Sequence, residues 1–211
     1  QLLKAKAVVV GFDARATSSA FSSSVVRGIC DSGANAIELG LAGTEEMYAA
    51  VIEFDVCAGI EITASHNPID YNGMKIVGRG SMPLSDKEFE AIKDLAKSNN
   101  FIQPKKDGVI LNKKEEAREA YVEKVLGFVD CSRLKPIKMV INSGNGAAGP
   151  TLDAINKKLK EKGVKSAALS YTNNDYGKGL ADSIQSNFEA VGGKITISAS
   201  HEDGKGDYSA E

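Results

Sequence analysis

The chain has 211 residues, 42% of them hydrophobic and 26% charged, with a formal net charge of −2 at pH 7. Such a length can bury a real core, in one large domain or two small ones, and the composition is ordinary for a soluble globular protein. The near-neutral balance gives no reason to expect nucleic acid or an anionic membrane as partner, and no apolar run approaches the ~20 residues that a spanning helix needs.

Gln1-Leu2-Leu3-Lys4 leads directly into a strand with no signal-peptide pattern, so a cytoplasmic location is expected. Ala7-Val8-Val9-Val10-Gly11 is a short apolar run of the kind that forms a strand buried on both faces. Ser18 or Ser19 then caps a helix to about Ser32, with Phe21, Val25 and Ile29 on its apolar side and Gly33 as its stop. Ala36-Ile37-Glu38-Leu39 reads as the next strand. Thr44 caps a second helix, 45–53, whose first turn carries acidic residues where the helix dipole favours them. A strand over 58–63 runs into a polar loop, Met74-Lys75-Ile76-Val77 reads as a return strand, and Ser85 opens a helix to about Ser98. This alternation predicts an α/β fold with a mixed, mainly parallel sheet and flanking helices.

Residues 99–107 read as a polar loop and 113–125 as a charged amphipathic helix. A boundary is expected within 130–136, because a fresh strand–turn–helix unit follows: a strand over 137–142, the turn Ser143-Gly144-Asn145-Gly146, and a helix over 151–162. A strand over 166–171, a helix over about 176–191 and a strand over 194–199 come next, before a polar, glycine-containing end. Cys30, Cys57 and Cys131 are odd in number and far apart, which fits neither a disulfide framework nor a metal cluster; they are expected as buried, reduced thiols.

The loop after residue 63 gathers the candidate chemical residues. Ser65 stands at its start beside His66, Asn67, Asp70 and Asn72 follow, and Lys75 lies just beyond Gly73. A serine hydroxyl is a poor nucleophile at neutral pH and needs a base, a metal or a preformed phosphoester. Gly73 permits a tight turn that could fold Lys75 back towards Ser65, where its charge would help offset a phosphate. Two readings stand on these residues alone: a phosphoryl-transfer site, built from alignment and charge neutralisation, or an ordinary polar turn of Ser, Asn and Pro. A Ser-His hydrolase is the weaker third, since no G-x-S-x-G elbow surrounds Ser65. Gly144-Asn145-Gly146 can likewise be a phosphate cradle or a structural turn, and it lacks the full P-loop pattern.

The stretch Gly59-Ile60-Glu61-Ile62-Thr63-Ala64-Ser65-His66-Asn67-Pro68-Ile69-Asp70-Tyr71-Asn72-Gly73-Met74-Lys75 resembles the signature of the phosphohexomutases. Gly11-Phe12-Asp13-Ala14-Arg15, Gly40-Leu41-Ala42-Gly43-Thr44-Glu45-Glu46 and Val140-Ile141-Asn142-Ser143-Gly144-Asn145-Gly146 are similar to further segments of that family, the second in its phosphomannomutase form. The resemblance spans about residues 3–160. It implies that Ser65 is phosphorylated and that its phosphate ligates Mg²⁺. It also implies that Lys75 is a general acid/base assisted by His66, and that Arg15 holds the phosphoserine region. The implied substrate is a mannose or glucose phosphate, whose phosphate moves between C1 and C6 through a hexose 1,6-bisphosphate.

Three further loops of that family are not found: an Asp-rich metal loop, a G-E-x-S-x-H sugar-selecting loop and a late phosphate-binding loop. The chain is therefore expected to be a fragment, incomplete as an enzyme. From about Lys165 the sequence resembles instead one lobe of periplasmic branched-chain amino-acid binding proteins, on Ser166-Ala167-Ala168-Leu169-Ser170-Tyr171-Thr172-Asn173-Asn174-Asp175-Tyr176-Gly177 and Gly192-Gly193-Lys194-Ile195. That likeness implies a ligand-cleft role for Tyr176, which could equally be a helix-start residue packing on the sheet. The expected organisation is a first mutase-like domain over 1–133, the start of a second over 134–162, and a binding-protein-like β-α-β segment over 163–211, with a seam near 161–165. An amino-acid-binding module and an inactive chimeric scaffold remain as alternatives.

Overall fold

Val8, Val9 and Val10 set the centre of the fold, in strand β1 (Ala7–Phe12). Val9 packs on one side of the sheet with Ile37, Leu39, Met47, Val51 and Val77, while Val8 and Val10 pack on the other with Val26, Ala36 and Ala58. Alternate side chains of a strand face opposite ways, so a run that is apolar throughout needs cover on both faces. The cover is α1 (Ser18–Asp31) on the Val8 side and α2 (Thr44–Glu53) on the Val9 side.

The computed structural model describes residues 2–101, 103–130, 146–161, 166–172, 182, 185–186, 189 and 194–201. The chain divides into two units, Gln1–Tyr121 and Val122–Glu211. In the first, β2 (Asn35–Leu41), β3 (Ala58–Ile62), β4 (Met74–Gly78) and a short β5 (Ile110–Asn112) join β1 in the order β4-β3-β1-β2-β5. Every pairing is parallel except β3 with β4, which is antiparallel. The fold class is thus the mixed, mainly parallel α/β arrangement that the alternating pattern predicts.

The starts of α1 and α2 differ from the sequence reading. Ser18 is the first residue of α1 rather than its cap; Thr17 holds the N-cap position with no side-chain cap bond, and the Ser18 hydroxyl donates to Asp13 instead. At α2 the N-cap is Gly43, not Thr44, and the Glu46 carboxylate accepts from the Gly43 N–H at 3.0 Å. Helix α3 (Asp86–Ser98) starts as expected, with Ser85 and Glu88 closing a reciprocal capping box. Strand β5 has no counterpart in the sequence reading, because three residues are too few for a period. Its edge is fixed by non-local bonds, such as Val109 N–H to Asn35 Oδ1 at 3.0 Å.

Cys30 and Cys57 are free and half-buried rather than buried; Cys131 lies outside the described residues. Helix α4 (Lys114–Gly127) spans the division between the units, and the second unit also contains α5 (Ala148–Glu161) and the parallel pair β6 (Ser166–Thr172) and β7 (Lys194–His201). The boundary near 133, the strand over 137–142, Gly144, Asn145, residues 162–165 of the seam and Tyr176 lie outside the described residues. Among the described residues no helix is long and apolar enough to cross a membrane.

Candidate active site

Strands β1 and β3 are parallel neighbours, so the loops that follow them leave the same edge of the sheet. Ligand sites of open α/β sheets form at that carboxyl edge. The Asp13 N–H donates to the Ile62 carbonyl at 3.0 Å and ties the two loops at their roots. The first loop carries Asp13 and Arg15, the second Ser65.

Arg15 spans the gap. Its Nη1 donates to the carbonyls of Pro68 and Tyr71 at 2.5 and 3.0 Å, and its Nη2 to those of Ser65 and Asn67 at 2.9 and 2.7 Å. Its Nε donates to Asp13 Oδ2 at 3.1 Å. A guanidinium has five N–H donors, and these bonds use all of them. In this arrangement Arg15 clamps the backbone of the serine loop and has no N–H left over for a ligand. The side chain is 8% exposed, which strengthens each of these charge-assisted bonds.

Asp13 orients the clamp. Its Oδ1 accepts from the Arg15 N–H at 3.0 Å and from the Ser18 hydroxyl at 2.5 Å. Burial alone would raise its proton affinity, but hydrogen bonds from Ser18, Thr63 and the Arg15 N–H, with the Arg15 charge, outweigh it and hold the carboxyl below the usual carboxylate range. Asn72 closes the far side of the loop. Its Nδ2 donates to Thr17 Oγ1 and Ser18 Oγ, each at 2.9 Å, and its Oδ1 accepts from the Gly73 N–H at 2.8 Å. Gly73 lies close against β3: the Thr63 N–H donates to its carbonyl at 2.9 Å, and a Cβ there would stand 3.3 Å from the Thr63 oxygen.

Ser65 takes a left-handed backbone conformation, φ +57°, although it carries a side chain. Such a position is strained for an L residue and persists only when its surroundings enforce it. Here the Ser65 N–H donates to Thr63 Oγ1 at 2.9 Å while Arg15 holds the carbonyl. The side chain is left exposed, with Ser65 Oγ 3.2 Å from His66 Nδ1. Arg15, Ser65 and His66 therefore meet in one place. Lys75 does not reach them: it is half-buried on β4, opposite Glu61 in register, and among the described residues makes no hydrogen bond to Ser65.

The sequence reading passed over Asp13 and Glu61 as individual residues. Glu61 is fully buried, and neither carboxylate oxygen has a hydrogen-bond partner. Burial first, then the charges of Asp13, Glu46 and Glu45, against the opposing charge of Lys75, push its carboxyl up to about 9. A lone acid in an otherwise apolar strand was the available signal. Among the described residues no three His, Cys, Asp or Glu side chains converge as a metal centre requires.

Residues 1–103 match the family model described as phosphoglucomutase/phosphomannomutase, alpha/beta/alpha domain I. A phosphomannomutase of Escherichia coli is 42% identical over 167 residues, which cover 78% of this chain and 36% of that protein. A phosphomannomutase of Vibrio cholerae is 44% identical over 160 residues, covering 75% and 34%. The chain thus spans about a third of the length of these curated relatives. A crystal structure of a phosphoglucomutase/phosphomannomutase family protein from Burkholderia thailandensis shares the fold with a TM-score of 0.61, at 24% identity, over 88% of this chain and 42% of that one.

Proposed function

We propose that this chain is the serine-bearing portion of a phosphohexomutase, of the family that residues 1–103 match. Relatives named phosphomannomutase support that isomerase classification. In this reading Ser65 is a relay for the phosphoryl group of a mannose or glucose phosphate, and a cytoplasmic location goes with it. The observation that carries it is the clamp. Four carbonyls of the loop, including that of Ser65, are fixed by one guanidinium, which leaves the serine hydroxyl presented outward. Phosphoryl transfer asks mainly for such alignment and for charge neutralisation.

In the transfer step a sugar hydroxyl attacks the phosphorus on Ser65, and the bond from phosphorus to Ser65 Oγ breaks. Lys75, as the ammonium, gives a proton to Ser65 Oγ as it leaves, and the sugar hydroxyl's proton is taken up with help from His66, whose Nδ1 lies 3.2 Å from Ser65 Oγ, and restored to Lys75. The hexose 1,6-bisphosphate so formed turns over and returns its other phosphate to Ser65. A Mg²⁺ ion, when bound through the Ser65 phosphate, would supply charge neutralisation at the transferring oxygens. Lys75 reaches the loop in this reading by swinging from its place on β4.

Incubation of the chain with hexose 1,6-bisphosphate and Mg²⁺ tests the reading through a mass gain of about 80 Da. An amino-acid-binding module would instead give saturable leucine or valine binding by calorimetry and no adduct. An inactive scaffold would give neither.

A further inference from the structure

Glu61 and Lys75 face each other across the antiparallel β3–β4 ladder, so their side chains rise from one face of the sheet. That face is the one under α2, because a Cβ on Gly59, two residues before Glu61, would meet Val51 and Met47. Room for the Glu61 carboxyl comes from Gly11 on β1, where a Cβ would run into it. The ionisable groups around that carboxyl are Asp13 after β1, Glu45 and Glu46 in the first turn of α2, and Lys75 on β4. Glu46 is itself paired with Arg118 of α4, at 3.1 Å. Three acids and one lysine therefore surround a buried carboxyl that accepts no hydrogen bond.

We propose that Glu61 is a positioning residue for Lys75: as a neutral acid it leaves the ammonium free for the serine loop, and as a carboxylate it draws that ammonium into a buried ion pair beneath α2. The inference rests on the reading of Lys75 as the proton-transfer residue. An uncompensated carboxylate in such a place is costly, and the ammonium opposite is the cation within reach that can compensate it. The lysine stem is long and flexible enough to serve either position. One ammonium cannot neutralise a phosphate on Ser65 and a buried carboxylate together. On ionisation the Glu61 O–H bond breaks, its proton passes to solvent, and no other bond changes. Burial and the neighbouring acids keep that proton in place up to about 9, so at neutral pH Lys75 stays available.

The test is a carbon-13 titration of the Glu61 carboxyl in the full chain, wild type and Lys75→Met, with acylation of Lys75 followed by peptide mass spectrometry. Between about pH 7 and about pH 10.5, wild-type Glu61 ionises near 9, and in Lys75→Met it ionises at higher pH because its compensating charge is gone. Over the same range acylation of Lys75 falls several-fold relative to that of exposed Lys87, and Glu61→Gln abolishes the fall. A Glu61 titration unmoved by Lys75→Met, or wild-type Lys75 acylation that climbs in step with Lys87, overturns the proposal. Should Glu61→Gln not fold, the Lys75→Met titration decides alone. Neither readout needs turnover, so failure of the coupling is distinguishable from absence of a phosphoryl adduct on Ser65.

Discussion

Arg15 Nη2 donates to the Ser65 carbonyl at 2.9 Å across fifty positions of sequence, and this bond joins the turn after β1 to the turn after β3. Three further loop carbonyls and the Asp13 carboxylate complete the set. A lysine at this position keeps the charge but cannot reproduce a planar five-donor fork. Arg15→Lys is therefore expected to slow phosphorylation of Ser65 by ten-fold or more, on the order of 1–3 kcal/mol for buried acceptors left unpaired. Hydrogen exchange at the amides of Asn67 and Tyr71 should rise in the same variant. Unchanged exchange would mean that the loop holds its shape without the clamp.

Asp13 gives an acid-side prediction. Its folded-state proton affinity lies below the ordinary carboxylate value, so its contribution to stability is present above the unfolded-state value and is lost as pH falls through the folded-state one. Wild type should lose this increment only at strongly acidic pH. Asp13→Asn should flatten that part of the curve of unfolding free energy against pH, and denaturant melts at a series of acidic pH values measure it.

Glu61 gives the opposite sign. Its folded-state value, about 9, lies above the unfolded 4.5, so the folded chain holds a proton that the unfolded chain releases. Stability is fully present below the unfolded value and declines as pH rises towards the folded one. Glu61→Gln has no such proton to hold. The stability of Glu61→Gln minus that of wild type should therefore widen with rising pH, on the order of 1 kcal/mol per pH unit. Parallel curves for the two proteins would mean that the carboxyl is already ionised in the fold.

Gly11→Ala tests the space that this carboxyl occupies. The added Cβ would meet the Glu61 carboxyl, and Ala42 stands close on the same side. Overpacking of this kind costs about 1–3 kcal/mol. The double variant Gly11→Ala with Glu61→Ala should recover much of that loss in thermal melts, because the clashing group is gone.

The framework was legible from local pattern. An unbroken valine run specified a strand covered on both faces, and the stretch from Gly59 to Lys75 located the loop. What escaped the sequence was non-local. The four carbonyls bound by Arg15 lie 50 to 56 positions away, and no spacing rule points to them. Glu61 reads on paper as one acid on a strand, where an exposed edge position would be unremarkable; only the closing of α2 over that face buries it. The starts of α1 and α2 shifted by one residue for local reasons: the Ser18 hydroxyl donates to Asp13 instead of capping, and the Glu46 carboxylate accepts from the Gly43 N–H in the first turn of its own helix. Lys75 was expected near Ser65 through the tight turn at Gly73. Pairing of β4 with β3 places it opposite Glu61 instead.

The most direct measurement is peptide-level mass spectrometry of the chain after exposure to hexose 1,6-bisphosphate and Mg²⁺, beside Ser65→Ala. A phosphoryl group found on Ser65 in wild type, and nowhere on the serine-loop peptide of the variant, is the expected result. An unmodified Ser65, or an adduct of equal yield that survives replacement by alanine, would contradict the assignment of this hydroxyl as the phosphoryl carrier.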